Sequence, residues 1–188
     1  MDKYRTKEGV RMGKIRKATY EDAEKIADVH VKSWKSTYKD LIEEKDLSNM
    51  TLENRTALWE TVLKVPVNGQ IVLVLEDENG GIIGFVSGGK ERTRHYGFDG
   101  EIYAIYLLEE HQRKGYGTDL LRAFTNEMAS AGYESLLVWV LTHNPSSQFY
   151  ASHGAKQVEA EMVTIGEGTY EETAFGWKDI HALTALFS

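Results

Sequence analysis

The run Gln112-Arg113-Lys114-Gly115-Tyr116-Gly117-Thr118 holds the spacing in this chain best suited to chemistry. Two glycines one residue apart let backbone N–H groups turn inward with no Cβ in the way. A helix starting at this point adds its N-terminal partial positive charge. Together they make an anion cradle suited to a diphosphate, with Arg113 and Lys114 as two local positive charges. Taken alone, a G-x-G at a helix start is also a common tight strand-to-helix connection, so its meaning depends on what surrounds it.

Other patterns fail on their own terms. Gly84 to Lys90 matches the first seven positions of a P-loop, but Glu91 stands where a magnesium-binding hydroxyl is required, and no apolar-periodic helix follows. Ser87 has Phe85 two positions before it and so lacks the glycine pair of a nucleophile elbow. The six histidines (30, 95, 111, 143, 153 and 181) form neither HExxH nor an i,i+4 pair, and no metal is expected. The absence of cysteine removes disulfides, thiol catalysis, zinc ribbons and iron-sulfur clusters.

The elements that must position the cradle follow from periodicity. Lys14 to Ala18 alternates as a short strand, and Thr19 with Asp22 forms a capping-box pattern. Ala23, Ile26, Ala27, His30, Trp34 and Tyr38 then mark one helical face. A second helix is predicted over Leu52 to Leu63. Strands are predicted at Gln70 to Glu76 and Gly81 to Gly88, joined by an Asn79-Gly80 hairpin turn, and at Glu101 to Leu108. A helix over about Tyr116 to Ala131 buries Leu120, Leu121, Phe124 and Met128 and ends at Gly132. The almost wholly apolar Ser135 to Leu141 reads as a strand covered on both faces. A short helix follows with Asn144 as N-cap and Pro145 at its first position. Strands near Lys156 to Ile165 and Glu171 to Trp177 complete the sheet, and the apolar tail offers a last helical turn or two. The order β-α-α-β-β-β-α-β-α-β-β implies one α/β (α+β) domain with helices on both faces of a mixed sheet.

In this setting the 112–118 run resembles motif A of the GNAT superfamily, the acetyl-CoA-dependent N-acetyltransferases, whose signature is Q/R-x-x-G-x-G/A. Gln112, Gly115 and Gly117 occupy its three defined positions. Asn144-Pro145-Ser146-Ser147-Gln148-Phe149-Tyr150-Ala151-Ser152-His153-Gly154-Ala155 is similar to motif B, with one fewer residue before Phe149 than in many relatives and Ala155 in place of the usual aromatic. Element order extends the resemblance from about Ile15 to Trp177, and the opening helix resembles a small bacterial GNAT subgroup. The resemblance implies a GNAT fold: one twisted, mostly antiparallel sheet of six or seven strands, splayed between the fourth and fifth.

It also implies roles. The amides of Arg113, Lys114, Gly115, Tyr116, Gly117 and Thr118, with Gln112, would hold the pyrophosphate of acetyl-CoA. The strand end Tyr106, Leu107 and Leu108 would pair with the pantetheine arm, and N–H groups near Leu107 would face the oxyanion that develops on the thioester. Asn144 would meet the pantetheine or thioester region. Tyr150 would be the general acid beside the departing sulfur, although Phe149 and Tyr150 can equally be packing residues. Glu101, fourteen residues before Gly115, matches the strand glutamate used as base in the histone-acetylating branch. Tyr103 shares its strand face and can carry a water relay; ordered water is the alternative base. Trp34 and Tyr38, with His30, either border the acceptor pocket or pack as core, and a helical aromatic stripe favours core.

Composition bounds the rest. With 188 residues, 41% hydrophobic and 27% charged, the chain is long enough for a real core. Twenty-two Lys+Arg against 29 Asp+Glu give a net charge of −7, which disfavours nonspecific nucleic-acid binding. No apolar run suits a signal peptide or a membrane span, so a cytoplasmic location is expected. Residues 1–11 carry no periodic pattern and are expected to stand outside a single domain at 12–188. The expected activity is acetyl transfer from acetyl-CoA to a primary amine in a ternary complex. A noncatalytic CoA-binding sensor is the competing reading, and a longer acyl chain or a hydroxyl acceptor is a third. A homodimer through the C-terminal strands and apolar tail is also expected.

Overall fold

The computed structural model describes residues 13–65, 69–93 and 95–187, so the 1–11 extension lies outside the described residues. Its elements are β1 (Lys14–Lys17), α1 (Ala23–Tyr38), α2 (Leu52–Lys64), β2 (Ile71–Glu76), β3 (Ile82–Lys90), β4 (Gly100–Leu107), α3 (Tyr116–Ser130), β5 (Leu136–Leu141), α4 (Ser146–Ser152), β6 (Lys156–Ile165), β7 (Gly168–Trp177) and α5 (Ile180–Ala185). One seven-stranded sheet runs in the order β1-β2-β3-β4-β5-β7-β6. Every neighbouring pair is antiparallel except β4 with β5. The expected mixed sheet and element order are those observed.

Two cores sandwich the sheet. On one side Ile26, Val29 and Trp59 of α1 and α2 cover Val72, Val74 and Phe85. On the other, Leu120, Leu121, Phe124 and Met128 of α3 pack with Leu73, Leu75, Val86, Leu136 and Val138. β3 lies close beneath α3 because Gly88 carries no side chain: a Cβ there would stand 2.3 Å from the Glu101 carbonyl oxygen and 2.4 Å from the Phe124 ring. The P-loop-like glycines of this strand thus serve close packing.

Several boundaries differ from the sequence reading for local reasons. In the β2–β3 hairpin it is Gly80 that takes positive φ (79°), while Asn79 does not. The turn is therefore a type I turn closed by a left-handed glycine. Asp77 selects it by accepting from the N–H groups of Asn79 (2.9 Å) and Gly81 (2.8 Å). β7 starts at Gly168, three residues before the expected Glu171, because Gly166 (φ 61°) lets β6 fold straight back and pair Ile165 with Gly168. α4 begins at Ser146 with Pro145 as its N-cap, one position later than expected; Asn144 instead accepts from the Ser146 N–H (2.9 Å).

The C-terminal tail forms α5 and turns into the core. Ile180 and Leu183 are 0% and 1% exposed against α3, and Phe187 packs on His153. The tail residues Ile180 and Leu183 are therefore buried within this chain, whereas Leu186 of the tail and Met162 of β6 both stay open at 63%. His30 is likewise a core residue. Its Nδ1 accepts from the Trp59 indole (3.2 Å), and burial, followed by the charge of Arg55, pulls its pKa down to about 4. The ring is neutral and stacks on Tyr106 (5.3 Å), away from a substrate-lining role.

Candidate active site

β4 and β5 start side by side and then separate. Gly100, Glu101 and Ile102 pair with Leu136, Leu137 and Val138, and no further pairs follow, so the carboxyl ends of the two parallel strands open into a cleft. The edge of β4 in this cleft is defined by alternation. Leu108 N–H bonds to the Ile83 carbonyl (3.0 Å), which makes Leu107 opposite Gly84 a non-hydrogen-bonded pair. The backbone groups of Leu107 and Ile105 therefore face the cleft, while those of Tyr106 and Leu108 face β3. Of the residues expected to meet the pantetheine arm, Leu107 thus turns its backbone groups into the cleft and Tyr106 turns its own toward β3.

The Leu107 carbonyl already accepts from Ser33 Oγ (3.1 Å) and from Gln112 Nε2 (3.2 Å). Gln112 thus pins the strand end to the loop that follows. Behind it, Arg113 is the one non-glycine residue with positive φ (59°) among the described residues, and Gly115 follows at φ 85°. Two left-handed residues separated by Lys114 curl the loop into a concavity, the backbone shape of anion-binding nests. The conformation strains Arg113 and requires glycine at 115. α3 starts at once, so the N–H groups of its first turn have no helical acceptor and point at the same space.

A cluster of hydroxyls from both sides of the sheet meets beside the cleft. Trp34 Nε1 donates to the Tyr106 hydroxyl (2.8 Å), which lies 3.4 Å from that of Tyr38. Tyr38 also engages the buried Asn144. Trp34 and Tyr38 therefore pack and contribute polar groups at once. Tyr150 is 5% exposed, and its ring belongs to the α3-side core. Its hydroxyl makes no hydrogen bond among the described residues. Burial and then Tyr38 push its pKa well above the ordinary phenol value.

Glu101 lies on the expected strand, buried in the sheet. It is 1% exposed and clamped by Arg92, whose Nε (3.1 Å) and Nη2 (2.5 Å) reach Oε1 while its backbone N–H reaches Oε2 (3.0 Å). A carboxylate held by these donors is not free to take a proton from an acceptor without releasing Arg92. The same guanidinium lies 4.4 Å over the Tyr103 ring, and the Tyr103 hydroxyl donates to the Lys90 carbonyl. Tyr103 has no partner residue on β3, since Ala104 pairs with Ser87 and Ile102 with Gly88. That bulge rotates the rest of β4 by one residue, so that Tyr106 faces α1 and Leu107 faces α3.

The residue that sequence reasoning missed is Glu172. It pairs with Leu141 of β5 and Glu161 of β6, on the face toward Tyr38 and Arg92. Glu161 accepts from the Tyr96 hydroxyl and Glu101 from Arg92, whereas Glu172 has no hydrogen-bond or ion-pair partner among the described residues. Burial, then the Glu161 charge, raises its pKa against the opposing pull of Arg92. One signal was available in the sequence: Glu172 shares its strand parity with the small residues Ala174 and Gly176, which the fold buries. Among the described residues no group of three His, Cys, Asp or Glu could hold a metal ion, and no helix is long and apolar enough to cross a membrane.

The sheet thus splays between two parallel strands, and a loop with two left-handed residues leads from the first of them into a helix N-terminus. Comparison with known proteins gives the family. The model described as FR47-like protein matches residues 88–163. The chain is 37% identical over 174 residues to the uncharacterized N-acetyltransferase YuaI of Bacillus subtilis (strain 168), covering 93% of this chain and 98% of that one. Its fold is similar to the paiA N-acetyltransferase of Thermoplasma acidophilum, solved in complex with coenzyme A (TM-score 0.66, 20% identity, 87% of this chain and 97% of that one). It is also similar to an N-acetyltransferase of Staphylococcus aureus Mu50 (TM-score 0.68, 21% identity, 89% and 98%). The chain belongs to the GNAT superfamily of N-acetyltransferases.

Proposed function

We propose that this enzyme moves the acetyl group of acetyl-CoA to a primary amine by direct attack in a ternary complex. The observation that carries the reading is the cleft itself: its β4 edge presents the Leu107 N–H, and the nest at 113–115 lies on the loop that continues from its end. The first-turn amides of α3 and the Arg113–Gly115 backbone bind the diphosphate. Leu107 N–H donates to the thioester carbonyl as it becomes an oxyanion, where a preorganised donor has its largest effect. Tyr150 hydrogen-bonds the sulfur as the carbon–sulfur bond breaks.

Only a neutral amine attacks, and an amine of pKa near 10 is mostly protonated at neutral pH. Because Arg92 holds Glu101, water relayed to Glu172 is the better route for that proton. A base must be deprotonated to work, so activity carried by a carboxylate of raised pKa is present above that pKa and falls away as pH drops through it. Glu172→Gln should abolish the acid limb of the kcat/KM profile; an unchanged limb would return the role to Glu101 or to water alone. The overall reading is tested by following free-thiol release from acetyl-CoA over a panel of amines, amino acids and peptides. Turnover with a cationic amine is expected. Tight acetyl-CoA binding with no turnover on any amine would point instead to a sensor.

A further inference from the structure

His153 stands behind the cradle, outside every role assigned above. It follows α4, and its ring bridges two helices: Nδ1 lies 2.8 Å from the Phe149 carbonyl oxygen and Nε2 lies 3.2 Å from Thr118 Oγ1, in the first turn of α3. A carbonyl can only accept, so Nδ1 carries a hydrogen. Ser152 Oγ, 3.3 Å from Nδ1, donates its own hydrogen to the same carbonyl (2.8 Å) and does not alter this assignment. In the neutral ring Nε2 is then a lone pair, and the Thr118 hydroxyl must donate to it. That hydroxyl has one hydrogen, so it offers an incoming phosphate only lone pairs, which repel it.

Protonation of the ring reverses the arrangement. Nε2–H donates to Thr118 Oγ1, the Thr118 hydrogen becomes free to donate into the cradle, and a positive charge appears directly behind it. We infer that His153 is a proton-linked binding residue: its imidazole takes up one proton from solvent as a diphosphate seats in the 113–118 cradle and turns Thr118 into a donor. This rests on the reading of that cradle as the diphosphate site. By reciprocity, protons tighten the anion as much as the anion raises proton affinity.

The surroundings of the ring do not offer another cause. Phe149 packs 4.6 Å away, Phe187 5.8 Å away, and Trp177 Nε1 fixes the His153 carbonyl (2.8 Å). Among the described residues no carboxylate lies within ion-pair distance of the imidazole, and the neighbouring Asp119 of α3 is bonded to Arg122 (2.9 Å). Arg113 and Lys114 border the cradle as permanent charges. His111, whose ring is 6.4 Å from that of Tyr116, is the other imidazole near it and serves as the control.

The probe is dephospho-coenzyme A, which keeps the diphosphate but lacks the phosphate monoester whose second ionisation falls near about pH 6. Calorimetric titration at about pH 7, where imidazoles change charge, in two buffers of different ionisation enthalpy reads the protons taken up. The native enzyme should absorb a fraction of a proton per ligand. Its Kd should tighten roughly three- to tenfold between about pH 8 and about pH 6, the size expected for one nearby charge at an effective dielectric between those of protein and water. His153→Gln should show no uptake and a flat Kd, Thr118→Val should keep only the smaller part of both that the imidazolium charge supplies without the hydroxyl, and Thr118→Ser and His111→Gln should keep both in full. Binding without proton uptake, or uptake that survives in His153→Gln, would overturn the inference and leave the cradle intact. Failure of the folded native enzyme to bind the probe at all would overturn the cradle reading with it.

Discussion

Tyr150→Phe is expected to lower kcat by about 10²-fold, the lower end of what a positioned proton donor contributes, with the Kd for acetyl-CoA changed less than about twofold. The split follows from where the hydroxyl sits. The ring belongs to the α3-side core, edge-on to Trp177 and beside Phe175, and Phe keeps all of that area. The hydroxyl has no hydrogen-bond partner among the described residues, so its removal breaks nothing in the resting enzyme. What is lost is an interaction formed only as the sulfur departs. Because burial raises the Tyr150 pKa well above its usual value, full transfer of its proton to a thiolate of ordinary pKa ~8.5 is uphill. The hydroxyl therefore acts by donating a hydrogen bond to the developing negative charge, and the proton that finally resides on sulfur comes from the nitrogen once it has bonded to the acyl carbon. A direct check is the dependence on leaving group: thioesters of more acidic thiols should lose less from the substitution. Equal kcat in the two enzymes, measured by single-turnover kinetics, would remove Tyr150 from the chemistry.

Whether a feature was legible in the sequence depended on how local its determinants are. The glycine loop and the helix after it were readable because they are contiguous, and the conformations at 113 and 115 are set within that short loop. The helix faces of α1 and α3 were readable from period alone. The cleft required knowing which strands are parallel neighbours, and only the family resemblance supplied that. Glu172 could not be placed without the sheet order, since β7 inserts between β5 and β6 and so brings its carboxylate beside Leu141. Nor does anything in the residue types predict the bulge at Tyr103, which decides that Tyr106 and Leu107 present opposite faces. His30 and Trp34 carry the same helical spacing, yet one is a neutral imidazole under Trp59 while the other donates to Tyr106 at the cleft. Their difference comes from α2 covering one and leaving the other, a tertiary event.

Arg92 and Glu101 yield the largest expected change in stability. Arg92→Ala should cost about 2–3 kcal/mol, somewhat under the ~3–5 kcal/mol for breaking a fully buried pair. The reduction reflects the unequal burial of the partners: the Glu101 side chain is 1% exposed and that of Arg92 61%. Loss of the guanidinium strips the carboxylate of its charged donors and leaves it the Arg92 backbone N–H (3.0 Å), while water enters along the vacated path. The contact over the Tyr103 ring is lost as well. Arg92→Lys should recover only part, since an ammonium cannot reproduce the fork that spans both carboxylate oxygens. Glu101→Leu combined with Arg92→Met removes both charges at near-constant volume and should restore most of the stability in urea unfolding. An Arg92→Ala enzyme within about 0.5 kcal/mol of the native one, the range of an ordinary surface change, would show that the carboxylate finds other partners. The double variant also separates the two candidate bases. If Glu101 takes the proton, removing its carboxylate abolishes turnover even though the fold is restored. If the proton goes through water to Glu172, the stabilised double variant keeps kcat within about tenfold and retains the acid limb that Glu172→Gln removes.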